Sequence, residues 1–129
     1  MKIKAGLLYT KTHEWVQLAG GTARVGITAY IPESMGKISF LNLCDEGERY
    51  DAGDIIGDAE AFKGVVDICT PAGGTVVSVN DELLDEPERI NGDPYGSWLA
   101  ELGNVRLTQK LLTDEEYRLF VGNDAEITE

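Results

Sequence analysis

One stretch limits the fold of this chain more than any other: Ile55-Ile56-Gly57-Asp58-Ala59-Glu60-Ala61-Phe62-Lys63-Gly64-Val65-Val66-Asp67-Ile68-Cys69-Thr70-Pro71. It reads as two short strands joined by a tight turn. Val65, Val66 and Ile68 have the β-branched side chains that suit a pleated, half-buried surface. Gly64 supplies the backbone freedom a turn needs. Pro71 cannot donate to a ladder, so the second strand ends at Thr70. Lys63 therefore sits at the tip, its ammonium on a long flexible stem in water. Residue chemistry alone makes this an ordinary solvated lysine.

The flanking chain repeats the β pattern. Trp15-Val16-Gln17-Leu18 and Thr22 to Ile27 surround Gly20-Gly21, the signature of a hairpin. Ile31 to Gly36 predicts a helical turn, with Pro32 near its start and Gly36 as its stop. Lys37 to Leu43 alternates and predicts a half-buried strand with Ile38, Phe40 and Asn42 on one face. Cys44 to Asp54 is acidic and turn-rich. Gly74 to Asn80 is another β-branched strand. Ala52 to Gly57 and Ala72 to Val77 each place a glycine turn before a short apolar strand, a faint repeat that suits two sheets with approximate two-fold symmetry. Asp81 to Leu84 reads as a helical turn closed by Pro87, Asn91 to Gly96 as a loop, and Trp98 to Leu102 as the last strand. Thr113-Asp114-Glu115-Glu116 has the spacing of a capping box, followed by Tyr117, Phe120 and Val121 on one face of a short helix. The tail, residues 122–129, is polar and is expected to fray. Together these segments predict a mainly β single domain over residues 1–129, its core in about 9–121.

Composition removes several classes of function. With 23 acidic and 11 basic side chains the net charge is −12, a field that repels nucleic acid and anionic membrane and favours basic surfaces on other proteins. No apolar run is long enough to span a bilayer, and the start lacks a signal-peptide core, so the chain reads as cytoplasmic. Cys44 and Cys69 show no metal-ligand spacing, and His13, the one histidine, adds none. A reducing compartment makes both cysteines free thiols. No nucleophile–base set or phosphate-binding glycine loop is present, so His13 is assigned a structural role. One special lysine without catalytic apparatus fits a carrier better than an enzyme.

The segment Glu60 to Asp67 resembles the lipoyl-lysine hairpin of the glycine cleavage system H proteins, in which the lysine follows a glutamate by three positions and precedes an acidic residue by four. Three other blocks share the resemblance in the family's order: Tyr9-Thr10-Lys11-Thr12-His13-Glu14-Trp15-Val16, Val25-Gly26-Ile27-Thr28, and Asn91-Gly92-Asp93-Pro94-Tyr95-Gly96-Ser97-Trp98-Leu99. It covers nearly everything from Tyr9 to Val121. The resemblance implies a flattened two-sheet lipoyl domain (a barrel-sandwich hybrid) with short helices and a C-terminal helix. It implies lipoate in amide linkage to Lys63, attached by a lipoate ligase or lipoyl transferase. It also implies three enzymes as partners: a pyridoxal-phosphate glycine decarboxylase, an aminomethyltransferase and a dihydrolipoamide dehydrogenase. A cleft would shelter the aminomethyl group carried on the arm, with Glu14 pairing with its amine. Asp67 would position the lysine or the arm, and Glu60, three before the lysine, belongs to the same lipoyl site. On residue chemistry, Glu14 can equally be an exposed strand carboxylate, and Asp67 simply part of the hairpin.

The flanks Ala61-Phe62 and Gly64-Val65-Val66 are bulkier and more apolar than the family's Glu-Ser-Val-Lys-Ala pattern. They leave open a second carrier role, that of the H-like lipoate-binding proteins that serve heterodisulfide-reductase-like complexes in sulfur oxidation. An unmodified interaction module is a further alternative. A biotinyl carrier would place methionines beside the lysine, where Phe62 and Gly64 stand.

Overall fold

The computed structural model describes residues 1–122 and 124–129. The chain opens with β1 (Lys2–Lys4) and β2 (Leu8–Tyr9), then the hairpin of β3 (Glu14–Ala19) and β4 (Thr22–Ile27). The helix α1 (Tyr30–Met35) leads into β5 (Ile38–Leu43), the short β6 (Arg49–Tyr50), and the lysine hairpin of β7 (Ile55–Ala61) and β8 (Gly64–Cys69). β9 (Gly73–Val79), α2 (Asp81–Asp85), α3 (Arg89–Gly92) and β10 (Ala100–Arg106) follow, then α4 (Asp114–Val121) and β11 (Glu126–Thr128).

The strands form two main sheets. One runs β2-β3-β4-β10-β9-β6, and the other is β5-β7-β8. Each presents an apolar face to the other. Val16, Val25, Ile27, Leu102 and Val76 from the first meet Ile38, Leu41, Ala59 and Ile68 from the second in one buried cluster. The expected mainly β architecture, with short helices and a helix near the C-terminus, is the one observed. Thr113 caps α4 by accepting from the Glu116 N–H, and the Glu116 side chain accepts in return from the Thr113 N–H.

A second cluster closes the other side of the large sheet. Ile3, Leu7, Tyr9, Trp15 and Tyr117 are all buried in it. It explains why Glu14, Trp15 and Val16 are buried in succession. Val16 faces the inter-sheet core, while Trp15 faces the cluster formed by the chain ends and α4.

Several expectations change. In β5 the pairing with β7 shifts between Ile38 and Phe40. That irregularity turns Phe40 outward, 49% exposed, and puts Leu41 rather than Phe40 beside Ile38 in the core. Arg49–Tyr50 forms a short edge strand within the acidic turn segment, and part of the loop expected over Asn91 to Gly96 is helical. The strand near Trp98 starts at Ala100 and is not the last. The tail expected to fray pairs instead: β11 lies parallel to β1, with Ile3 opposite Ile127. Ile127 gives this polar segment an apolar anchor in the second cluster. Among the described residues, no helix is long and apolar enough to cross a membrane.

Candidate functional site

β7 and β8 meet in a two-residue turn, Phe62-Lys63, between the paired residues Ala61 and Gly64. Gly64 adopts φ +148°, a conformation open to glycine. The turn is held from outside as well. The Phe62 N–H donates to the Lys37 carbonyl at 3.1 Å and the Lys63 N–H to the Met35 carbonyl at 2.8 Å. Both acceptors flank Gly36, where α1 ends with φ +87°. A Cβ at Gly36 would lie 2.7 Å from the Phe62 Cβ, so glycine is what lets the tip seat there. The Lys63 side chain is exposed, and no ion pair among the described residues involves it. Its neighbours Phe62 and Val65 are 86% and 61% exposed.

The ladder places the other candidates. Phe40, Glu60 and Val65 form one cross-strand row, and Asn42, Asp58 and Asp67 the next row on the same outer face. The intervening row, Leu41, Ala59 and Val66, points into the core. Glu60 and Asp67 are thus outward carboxylates of the lysine's own hairpin, and neither forms an ion pair with Lys63 among the described residues. Asp58 is bonded by the Asn42 side-chain amide at 3.0 Å.

The outward face of β8 runs Val65, Asp67, Cys69 and ends six residues from Lys63, about 20 Å of strand at 3.3 Å per residue. There Cys69 meets Glu14, which begins β3. Glu14 is only 2% exposed; the alternative of an exposed carboxylate is overturned. Its Oε1 accepts from the Thr10 hydroxyl at 2.6 Å and from the Thr12 hydroxyl, and its Oε2 accepts from the Cys69 N–H at 3.2 Å. Burial pushes its carboxyl above the usual range, and the three donors oppose that rise. Glu14 forms one side of an open cleft of about 480 Å³, with Thr12, Cys69 and Thr70 beside it and Gln109 and Lys110 on the segment that leads to α4.

Sequence reasoning placed Lys63 at a tip and Glu14 in a cleft by resemblance, and the structure puts them near opposite ends of β8. It did not assign Thr10, Thr12 or Cys69 to that cleft. The hydroxyls four and two positions before Glu14 were a visible signal, because hydroxyls so close in sequence can fold back on a carboxylate. Cys69 and Cys44 are free thiols; burial pushes both above the usual thiol range, helped at Cys69 by Glu14.

His13 is packed among aromatic side chains. It takes φ +72° in the turn from Thr10 to Glu14. Its ring stacks on Tyr30 with centroids 3.6 Å apart, and Nδ1 lies 2.7 Å from the Tyr117 hydroxyl, which in turn meets the Thr28 hydroxyl. No group of three or more potential ligands suited to a metal occurs among the described residues.

Comparison with known proteins identifies the family. The family model for glycine cleavage H-protein matches residues 7–124. The glycine cleavage system H protein of a Thermoanaerobacter species is 40% identical over 96% of this chain and all of its own length. The protein named probable glycine cleavage system H protein in Pyrococcus furiosus is 43% identical over 85% of this chain and 83% of its own. The crystal structure of a glycine cleavage system H protein from Mycobacterium marinum superposes with a TM-score of 0.82 at 38% identity, covering 89% of this chain and 95% of that one. The chain belongs to the glycine cleavage H-protein family.

Proposed function

We propose that this protein is a non-catalytic lipoyl-lysine carrier of the glycine cleavage system, with lipoate in amide linkage to Lys63. One observation supports this most: an exposed lysine without an ion-pair partner crowns a braced hairpin whose second strand ends on a cleft floored by a buried carboxylate. The residues fit the group. Among the described residues no ion pair holds the Lys63 amine, and the tip can be reached without unfolding. When bound, lipoate supplies a cyclic disulfide that can accept a group together with two electrons.

The chain's own residues bind, orient and shelter. The bonds to Met35 and Lys37 fix where the Lys63 backbone sits, so the arm starts from a defined point. Glu14 offers a carboxylate to a primary ammonium that enters the cleft. An ion pair there is worth more than one at the open surface, where the median is about 0–1 kcal/mol. Cys69, Thr70 and Gln109 line the cleft around the paired amine and reduce its contact with bulk water. Glu60 and Asp67 line the path between tip and cleft as outward carboxylates. With Asp58 and the net charge of −12 they favour partners with basic docking surfaces. We assign those partners as the lipoylating enzyme, the glycine decarboxylase, the aminomethyltransferase and the dihydrolipoamide dehydrogenase.

Peptide mass spectrometry after incubation with a lipoate ligase tests the attachment. Lipoyl should appear on Lys63 in the wild type and nowhere in Lys63→Arg; lipoyl on Lys37 or Lys110 would reject the assignment. The system is tested by exchange of labelled bicarbonate into the glycine carboxyl group, using lipoylated protein and a glycine decarboxylase that works with an authentic H protein. Exchange that vanishes with Lys63→Arg supports glycine cleavage. Absence of exchange from folded, fully lipoylated protein would reject it. The exposed Phe62 and Val65 would then mark a surface for other enzymes and favour the sulfur-oxidation carrier.

A further inference from the structure

We infer that Thr10 is the positioning residue of the cleft, the group that holds Glu14 as an oriented carboxylate ready to receive a cation. The inference rests on the carrier reading for its purpose and on the geometry around Glu14 for its substance.

Three donors meet the Glu14 side chain: the hydroxyls of Thr10 and Thr12 at Oε1 and the Cys69 N–H at Oε2. An ionised carboxylate accepts all three and keeps a position free, whereas a protonated one would spend that last position on its own O–H. A carboxylate offers about four lone-pair sites. Three are filled from within the protein, which leaves one on Oε2 for a ligand in the cleft.

The three donors are not equivalent. The Cys69 N–H is backbone and stays with β8. Thr12 is exposed, so water can replace its hydroxyl. Thr10 is nearly buried, 9% exposed, and its hydroxyl is oriented. Its Oγ1 accepts from the Glu14 N–H at 3.0 Å, so the hydroxyl proton is left to point at Oε1, 2.6 Å away. Glu14 thereby fixes, through its own amide, the donor that fixes its carboxylate. The Thr10 N–H also donates to the Glu14 carbonyl, which closes the turn and keeps the pair together.

Lys11 and Lys110 line the same cleft, but among the described residues neither pairs with Glu14. Among the described residues Glu14 forms no salt bridge. The Lys11 ammonium lies over the Phe120 ring at 5.7 Å, and that of Lys110 lies 4.0 Å from Glu116. The other titratable groups that bear on Glu14 are the Cys69 thiol and the Tyr117 phenol, both pushed upward mainly by burial and neutral near pH 7. The negative charge is therefore held by dipoles, and it remains available to an incoming ammonium rather than being spent on a resident partner.

The test is a carboxyl carbon NMR titration of unmodified, folded protein, with the Glu14 resonance assigned by its loss in Glu14→Gln. Thr10→Val should raise the Glu14 midpoint by about one pH unit or more, because removal of one oriented donor disfavours the charged form. Thr10→Ser, which keeps the hydroxyl, should return it to the wild-type value. Thr12→Val should shift it less than Thr10→Val. If Thr10→Val perturbs the turn, as seen in its amide spectrum, Thr10→Ala provides the same deletion. An unchanged midpoint in the deletion variants, a Thr10→Ser variant that titrates like Thr10→Val, or a larger effect from Thr12→Val would overturn the inference. Because no lipoyl group is needed, such a failure would leave the carrier reading standing. Failure of the exchange assay, conversely, would leave the titration result intact.

Discussion

His13 shows how a single residue's environment becomes a pH response. Burial pushes its imidazole down to about 4, with the ring stacked on Tyr30 and Nδ1 beside the Tyr117 hydroxyl. In the unfolded chain a histidine titrates near 6.5. Between those values the unfolded state binds more protons than the folded one, so stability falls as pH is lowered through this window. Urea midpoints measured from pH 7 to pH 5 should therefore decline in the wild type. His13→Asn tolerates the positive φ better than most residues. It should start lower at pH 7, having lost the Tyr30 and Tyr117 contacts, and should lack that share of the decline. An identical slope in both proteins would show that His13 does not titrate differently on folding. That this histidine is structural could be argued from its lack of a catalytic partner in the sequence. Its left-handed backbone and its stacking could not, since both depend on α1 and α4 arriving from far along the chain. The burial of Glu14 was hidden for the same reason: β3 is covered on both faces at its start, and only the assembled termini reveal that.

At the scale of elements, the lysine hairpin was the most legible part of the fold. Glycine, β-branched residues and a terminating proline all point to the same structure at each step. Register was less legible. Strict alternation over Lys37 to Leu43 predicted Phe40 inward, but one irregularity between Ile38 and Phe40 exchanged its place with Leu41. The bracing of the tip was not legible at all, because Gly36 belongs to a different element. Gly36→Ala should strain the chain twice, through φ +87° and through the 2.7 Å approach to Phe62. A loss of about 1–3 kcal/mol is expected. Lipoylation of Lys63 should slow more than this stability loss alone explains, because the tip must move to make room. Gly20→Ala, at a turn with positive φ and nothing within 4 Å, supplies the control. It should lower stability without slowing modification, as judged by chemical denaturation and by initial lipoylation rates. Equal rates in the two variants would mean that the ligase does not depend on the seating of the tip.

The whole molecule is closed by its two ends, an arrangement that neither end announces. The Ala5 N–H donates to the Thr128 carbonyl and the Glu126 N–H to the Met1 carbonyl, while the terminal ammonium donates to the Asp124 carbonyl at 2.8 Å. Beneath this parallel pair Ile3 is completely buried, next to Trp15 and Tyr117 in the second cluster. A chain lacking residues 124–129 would lose these bonds, at about 0.5–1.5 kcal/mol each. It would also uncover Ile3, at about 1.5–3 kcal/mol for a fully buried side chain. Since a freed segment regains conformational entropy, a net loss of about 2–4 kcal/mol is expected. The damage should be one-sided. The tip is held by α1 and the paired strands β5, β7 and β8, so the truncated chain, while folded, should still be lipoylated at Lys63 at a near-normal rate. The cleft depends on the turn from Thr10 to Glu14, which lies between Tyr9 and Trp15 of the weakened cluster. Its floor should therefore loosen first, seen as faster amide hydrogen exchange over residues 9–15 than over residues 55–69. Uniform acceleration across both segments would show that the two clusters unfold as one unit. In that case the terminal strands stabilise the tip as much as the cleft.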